Sequence, residues 1–244
     1  MKLWPPIAAT VFALCVWQAI VSLTGVQKFI LPSPALVAET WWFNRWVIAE
    51  HTLITLNEIL IGLVIGISLG VVTALTLASS KTARTLLAPM LVFTQALPVF
   101  ALAPILTLWL GYGIWSKAAM AVLITYFPVT SAFFDGLMRT PPGYLDLAKT
   151  MQASPQRVLW HIRVPAALPN LGAGVRLAAV YAPIGAVIGE WVGSSKGLGY
   201  LMLLANGRAK TDLMFAAMLT LGVLSVLLYV LMANLTRRLG DRET

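Results

Sequence analysis

The chain has 244 residues, of which 59% are hydrophobic and only 11% charged, whereas a soluble globular domain carries about 25% charged residues. That shortfall excludes an ordinary water-soluble fold and points to a body mostly wrapped in lipid. The net charge of +8 does not indicate nucleic acid, because the basic residues lie between apolar runs and form no patch with interleaved aromatics.

A bilayer core about 30 Å thick needs roughly 20 apolar residues in a helix. Six segments meet this requirement: 4–24, 51–78, 86–110, 116–137, 169–189 and 213–236. They are apolar all round and do not alternate, which predicts an all-α polytopic membrane protein with six transmembrane helices in a single domain, 1–244. The first segment follows Lys2 alone and is too long for a signal-peptide core, so it reads as an uncleaved helix. It holds Cys15, the single cysteine, so no internal disulfide is possible.

In the second span Gly62, Gly66, Gly70, Ala74 and Ala78 recur every fourth residue and line one helix face, where another backbone can approach closely. Ala178, Ala182 and Ala186 repeat the device in the fifth. Pro89, Pro98, Pro104 and Pro128 interrupt the third and fourth, and each removes a backbone donor. Two readings stand: broken helices beside a wet pathway, or ordinary proline kinks.

With the N-terminus in the cytoplasm, eleven Lys and Arg fall inside against six outside (Lys28, Arg45, Lys117, Lys196, Arg208, Lys210), which predicts both termini cytoplasmic. Trp4, Trp41, Trp42, Trp46, Trp115, Trp160 and Trp191 fall near span ends, where an amphipathic ring is stable.

The segment 139–168, between the fourth and fifth spans, is too polar to cross a membrane yet is patterned. Tyr144, Leu145, Ala148 and Met151 share one helical face. Ser154-Pro155 reads as an N-cap and first-turn proline before a second apolar face of Val158, Leu159 and Ile162. Two short amphipathic helices would project an apolar surface into the cytoplasm, and such a surface calls for a partner protein.

This loop resembles that of the membrane subunits of type I ABC importers, whose pattern is EAA, three residues, Gly, nine residues, Ile, one residue, Leu-Pro. Here it reads Asp146-Leu147-Ala148, then Gln152, then Ile162-Arg163-Val164-Pro165, at matching spacing. Aspartate replaces the glutamate, and Gln152 stands where the pattern has glycine; if that position has positive φ, glutamine is strained there. Gln95-Ala96-Leu97-Pro98, Ala101-Leu102-Ala103-Pro104 and 184–191 are similar to the branch that includes permeases for sulfonates, taurine, nitrate, riboflavin and thiamine-pyrimidine precursors, most of all the last two. So are the short runs Gly197-Leu198-Gly199-Tyr200 and 108–113.

The resemblance implies a multi-pass protein of the bacterial cytoplasmic (inner) membrane, paired with a second permease copy in a homodimer. It implies two ATP-binding subunits that hold ATP and Mg, an extracytoplasmic substrate-binding protein, and no cofactor in this chain. Asp146, Leu147, Ala148, Gln152, Ala153, Ile162 and Pro165 would form the ATPase-docking region.

Few ionisable groups lie within the spans: Glu58, Asp135, Arg176 and Glu190. Arg176 is expected to snorkel to the inner surface. For Glu190 two readings stand, an outer gate on the alanine stripe or an interfacial carboxylate beside Trp191. Gln95, Tyr112, Tyr126 and Tyr181 are candidates to meet a flat heteroaromatic ligand, with Pro98 and Pro104 placed beside the same pathway. The phosphate-loop pattern G-x-x-x-x-G-K-[ST] is absent, so energy must come from another chain. His51 and His161 have no neighbouring ligand set, which argues against a metal site, and no nucleophile–base–acid grouping suggests catalysis.

An enzyme would show polar residues clustered at one depth, and a passive channel would leave the patterned loop without purpose. The remaining rival is a sulfonate, taurine or nitrate permease. Its anionic cargo favours basic groups along the path, where Arg176 is the one intramembrane arginine, so a neutral heteroaromatic solute such as a thiamine-pyrimidine precursor or a riboflavin-like molecule is preferred.

Overall fold

A computed structural model describes residues 4–240, so Lys2 and Arg242 of the charge tally lie outside the described residues. The described residues form helices without strands: α1 (Trp4–Thr24), α2 (Pro34–Phe43), α3 (Arg45–Ser79), α4 (Lys81–Ala96), α5 (Val99–Leu110), α6 (Ile114–Met138), α7 (Pro142–Thr150), α8 (Pro155–Val158), a π turn (Leu159–Arg163), α9 (Val164–Gly193), α10 (Leu198–Gly207) and α11 (Thr211–Gly240). Five rods are long and apolar enough to span a bilayer, and the bent pair α4–α5 makes a sixth.

α6 is the central post, packed chiefly against α9 and then α3, with α11 closing on α9. Lipid tails are as apolar as leucine, so close contact between backbones holds such a bundle together more than any hydrophobic drive between helices. The α3 stripe supplies that contact. A Cβ on Gly62 would strike the Ala121 side chain, one on Gly66 would strike Thr125, and one on Gly70 would lie 2.9 Å from Val129. Ala178, Ala182 and Ala186 are fully buried in the same central cluster, beside Ile59, Leu63 and Val129. Outward-facing Val64, Val72, Val223 and Val226 remain exposed, as suits a surface facing lipid.

Several expectations change. The third segment is two helices that meet at 99°, not one straight span. The break falls at Leu97, extended (φ −75°, ψ 131°) because the following Pro98 excludes the helical conformation. Pro89, Pro104 and Pro128 sit inside continuous helices, so Pro98 alone among the four breaks its helix, and the fourth span is unbroken. The second loop helix is not free-standing. After the Ser154 cap, Pro155–Gly193 runs as one rod of 39 residues through the π turn. Two short helices, α2 and α10, lie in stretches the hydropathy pattern left as loops, and Ser33 caps the first.

Candidate functional site

Three regions bear on function, and the first is the loop around α7. This helix packs on no other helix to any substantial extent. Its apolar residues divide between two faces. Tyr144, Leu147 and Met151 are exposed (58%, 59% and 73%), whereas Ala148 is buried at 3% and Leu145 turns inward beside it. The single apolar face expected over Tyr144, Leu145, Ala148 and Met151 is therefore two, because Leu145 and Ala148 are centred about a quarter of a turn away from the outward row. Asp146 is exposed and pairs with Lys149 at 2.9 Å. Ala153 and Ile162 are half-buried, and Pro165 is exposed early in α9.

The helix ends in a Schellman motif. Ala153 N–H donates to Ala148 O and Gln152 N–H to Lys149 O, both at 2.9 Å. Gln152 holds the left-handed position with φ +53°, which explains why the family pattern has glycine there.

The second region is a cavity of about 700 Å³ at the α4–α5 break, against α6 and α9. Gln95 and Tyr181 line it as expected, joined by Phe127, Ser131 and Asp135. Asp135 is the only ionisable residue in that lining besides the Tyr181 phenol, and its carboxylate makes no hydrogen bond or ion pair among the described residues. Neither Pro98 nor Pro104 is among the lining residues, although Pro98 forms the break between lining residues Gln95 and Val99. Two other aromatics leave the proposed ligand set. Tyr126 donates its hydroxyl to Thr73 on α3 (3.1 Å), and Tyr112 lies at the turn between α5 and α6.

The third region is a buried polar clasp at the end of the bundle remote from α7. Glu190 is 1% exposed, enclosed within the bundle rather than standing free at the interface beside Trp191. Its carboxylate accepts hydrogen bonds from Thr55 Oγ1 (2.6 Å), Gly199 N–H and Tyr200 N–H. Leu198 N–H donates to Thr55 Oγ1 and Gly197 N–H to His51 Nδ1, both at 2.8 Å. Four successive amides at the start of α10 thus find acceptors on α3 and α9, satisfying donors that a helix start leaves open. Gly197 has φ +110°, and a Cβ there would collide with the Glu190 carboxyl.

Lys117, counted by its sequence position as a loop charge, is 1% exposed in α6. Its ammonium donates to the carbonyls of Tyr112, Gly113 (3.0 Å) and Gly193 (2.6 Å), tying the α5–α6 turn to the end of α9. Arg176 reaches back past Gly172 toward the start of α9 and donates to Thr236 Oγ1, near the end of α11, at 3.0 Å. The clasp partners His51, Thr55 and Lys117 went unrecognised because their common feature is meeting in space. The one sequence hint was the glycine-flanked run 197–200, whose small residues admit the carboxylate.

The family model described as "Binding-protein-dependent transport system inner membrane component" matches residues 62–241. The chain belongs to this family. It is an ABC importer permease, a multi-pass inner-membrane translocation subunit. A "Probable ABC transporter permease protein" of Haemophilus influenzae is 49% identical over 94% of each chain. The formylaminopyrimidine transport permease protein ThiX of Halalkalibacterium halodurans is 37% identical over 87% of this chain and 85% of its own. The riboflavin transport system permease protein RibX of Chloroflexus aurantiacus is 38% identical over 97% and 90%. In fold, this ABC permease is similar to a chain of the inward-facing MetNI methionine ABC transporter, with a TM-score of 0.70 at 17% identity, covering 80% of this chain and 97% of that one.

Proposed function

We propose that this permease carries a neutral or cationic heteroaromatic solute, of the thiamine-pyrimidine precursor or riboflavin type, into the cell. The observation that carries the proposal is the cavity at the Pro98 break. Its aromatic and amide side chains suit a flat ring with hydrogen-bonding edges, and the carboxylate of Asp135 is unpaired. A carboxylate there disfavours sulfonates, which would need cations in the same position. The names of the ThiX and RibX relatives support the same substrate class.

In this reading two copies of the chain face one another across the cavity, with both termini in the cytoplasm. Two ATPase subunits, carrying ATP and Mg, dock on the exposed row Tyr144, Leu147 and Met151, flanked by Asp146, Gln152 and Pro165. Buried Ala148 and half-buried Ala153 and Ile162 support that row from behind. An external binding protein delivers the solute.

The test is uptake of labelled solute by cells expressing the permease with its ATPase and binding-protein partners in a background without competing permeases. Uptake competed by a pyrimidine precursor or riboflavin and unaffected by taurine or alkanesulfonates is the expected result. Competition by sulfonates alone overturns the assignment.

A further inference from the structure

A second cavity, of about 870 Å³, lies elsewhere, between the corner of α3 and α4 and the α7–α8 loop. Four basic residues line it, Lys81, Arg84, Lys149 and Arg163, and no aspartate or glutamate does. We propose that it binds the phosphate headgroup of an anionic phospholipid, with the acyl chains leaving along its apolar residues.

The basic groups are arranged for an outside acceptor. Arg163 Nε is buried and has no hydrogen-bond partner, a costly condition unless something beyond the chain accepts from it. Arg84 is fixed in place, its Nε donating to Leu77 O at 3.2 Å and its guanidinium lying 5.4 Å from the Phe134 ring centre, while its terminal nitrogens have no partner among the described residues. Lys81 opens α4, so the amides of that helix start add positive potential at the rim. Lys149 is shared with Asp146 and contributes less.

The lining is otherwise largely apolar, with Leu75, Met138, Val158 and Leu159 in it, and it includes exposed Trp160, an indole of the kind that marks a membrane interface. Cations and hydrocarbon in one lining match a lipid better than a free anion, which has nothing to place against the apolar residues. The cavity touches both the α3–α4 corner and the α7–α8 loop, so its occupant brackets the segment that receives the ATPase. Only this last step, and the choice of the cytoplasmic leaflet, rest on the proposed function.

The test uses the full-length permease in neutral detergent, with lipid retention read by native mass spectrometry after addition of phosphatidylglycerol or phosphatidylcholine. Wild-type protein should retain phosphatidylglycerol at least about tenfold better, and Lys81→Gln with Arg84→Gln should lose about that factor. Exposed Lys81→Glu serves as a second variant in case the double variant does not fold, and should also weaken retention. Inorganic phosphate at millimolar concentration should not displace the lipid. Equal retention of the two lipids, retention unchanged in both variants, or displacement by phosphate alone overturns the proposal. Loss of the lipid once an ATPase subunit binds also overturns it, since the cavity would then be a protein contact. No transport is measured, so failure here leaves the uptake reading untouched.

Discussion

Gln152 is held at φ +53° by a helix terminus whose hydrogen bonds require a left-handed residue. A side chain in that conformation costs about 1 kcal/mol or more relative to glycine. Gln152→Gly should therefore stabilise the loop by about 1 kcal/mol, read as slower amide hydrogen exchange over residues 148–156. Unchanged exchange would mean that the loop relaxes the strain by other means. Gly197 is the opposite case, because its φ of +110° and the adjacent Glu190 carboxyl leave no room for a methyl group. Gly197→Ala should displace the carboxylate from the Gly199 and Tyr200 amides and destabilise the protein by about 3 kcal/mol, since it strands buried polar groups. A thermal unfolding midpoint equal to wild type would refute the clasp. The sequence allowed the conditional statement about Gln152, because turn chemistry is local. It gave no warning of Lys117, whose burial depends on three carbonyls supplied by two separate segments.

At the scale of elements, α7 offers a direct test of docking. Leu147 is exposed and supports nothing within the chain, so Leu147→Asp should leave thermal stability within about 0.5 kcal/mol of wild type. Co-purification of the ATPase subunit should fall at least about tenfold, as expected when a charge enters an apolar contact. Retained co-purification would move the docking surface elsewhere. The long spans were legible because an apolar run of 20 or more residues has few alternatives in lipid. α2 and α10, at ten residues each, were not. They are too short to register as spans, and α10 is held by the His51, Thr55 and Glu190 clasp rather than by its own pattern. The 99° corner was half legible: three prolines, Pro89, Pro98 and Pro104, marked the region, but the helix leaves its course only at the residue before Pro98.

For the whole molecule, the cavity at that corner joins α4, α5 and α6, consecutive in the chain, to the more distant α9. Gln95 and Tyr181 were recoverable as polar and aromatic residues within apolar spans. Phe127 and Ser131 were not, because nothing local separates a lining residue from a packed one. Asp135 sets the electrostatic sign of the cavity, so Asp135→Lys should reduce uptake of a heteroaromatic solute at least about tenfold while the ATPase subunit still co-purifies. Undiminished uptake would place the path away from this cavity.

The unbroken rod from Pro155 to Gly193 is about 58 Å long at 1.5 Å per residue. Its first turns belong to the loop beside α7, and its last residues hold Glu190. Any few-degree swing imposed at one tip must therefore appear as a displacement of several ångströms at the other, as with a crank handle. The π turn at Leu159–Arg163, together with Pro169 and Pro183 inside α9, marks where along the shaft such torque can be absorbed.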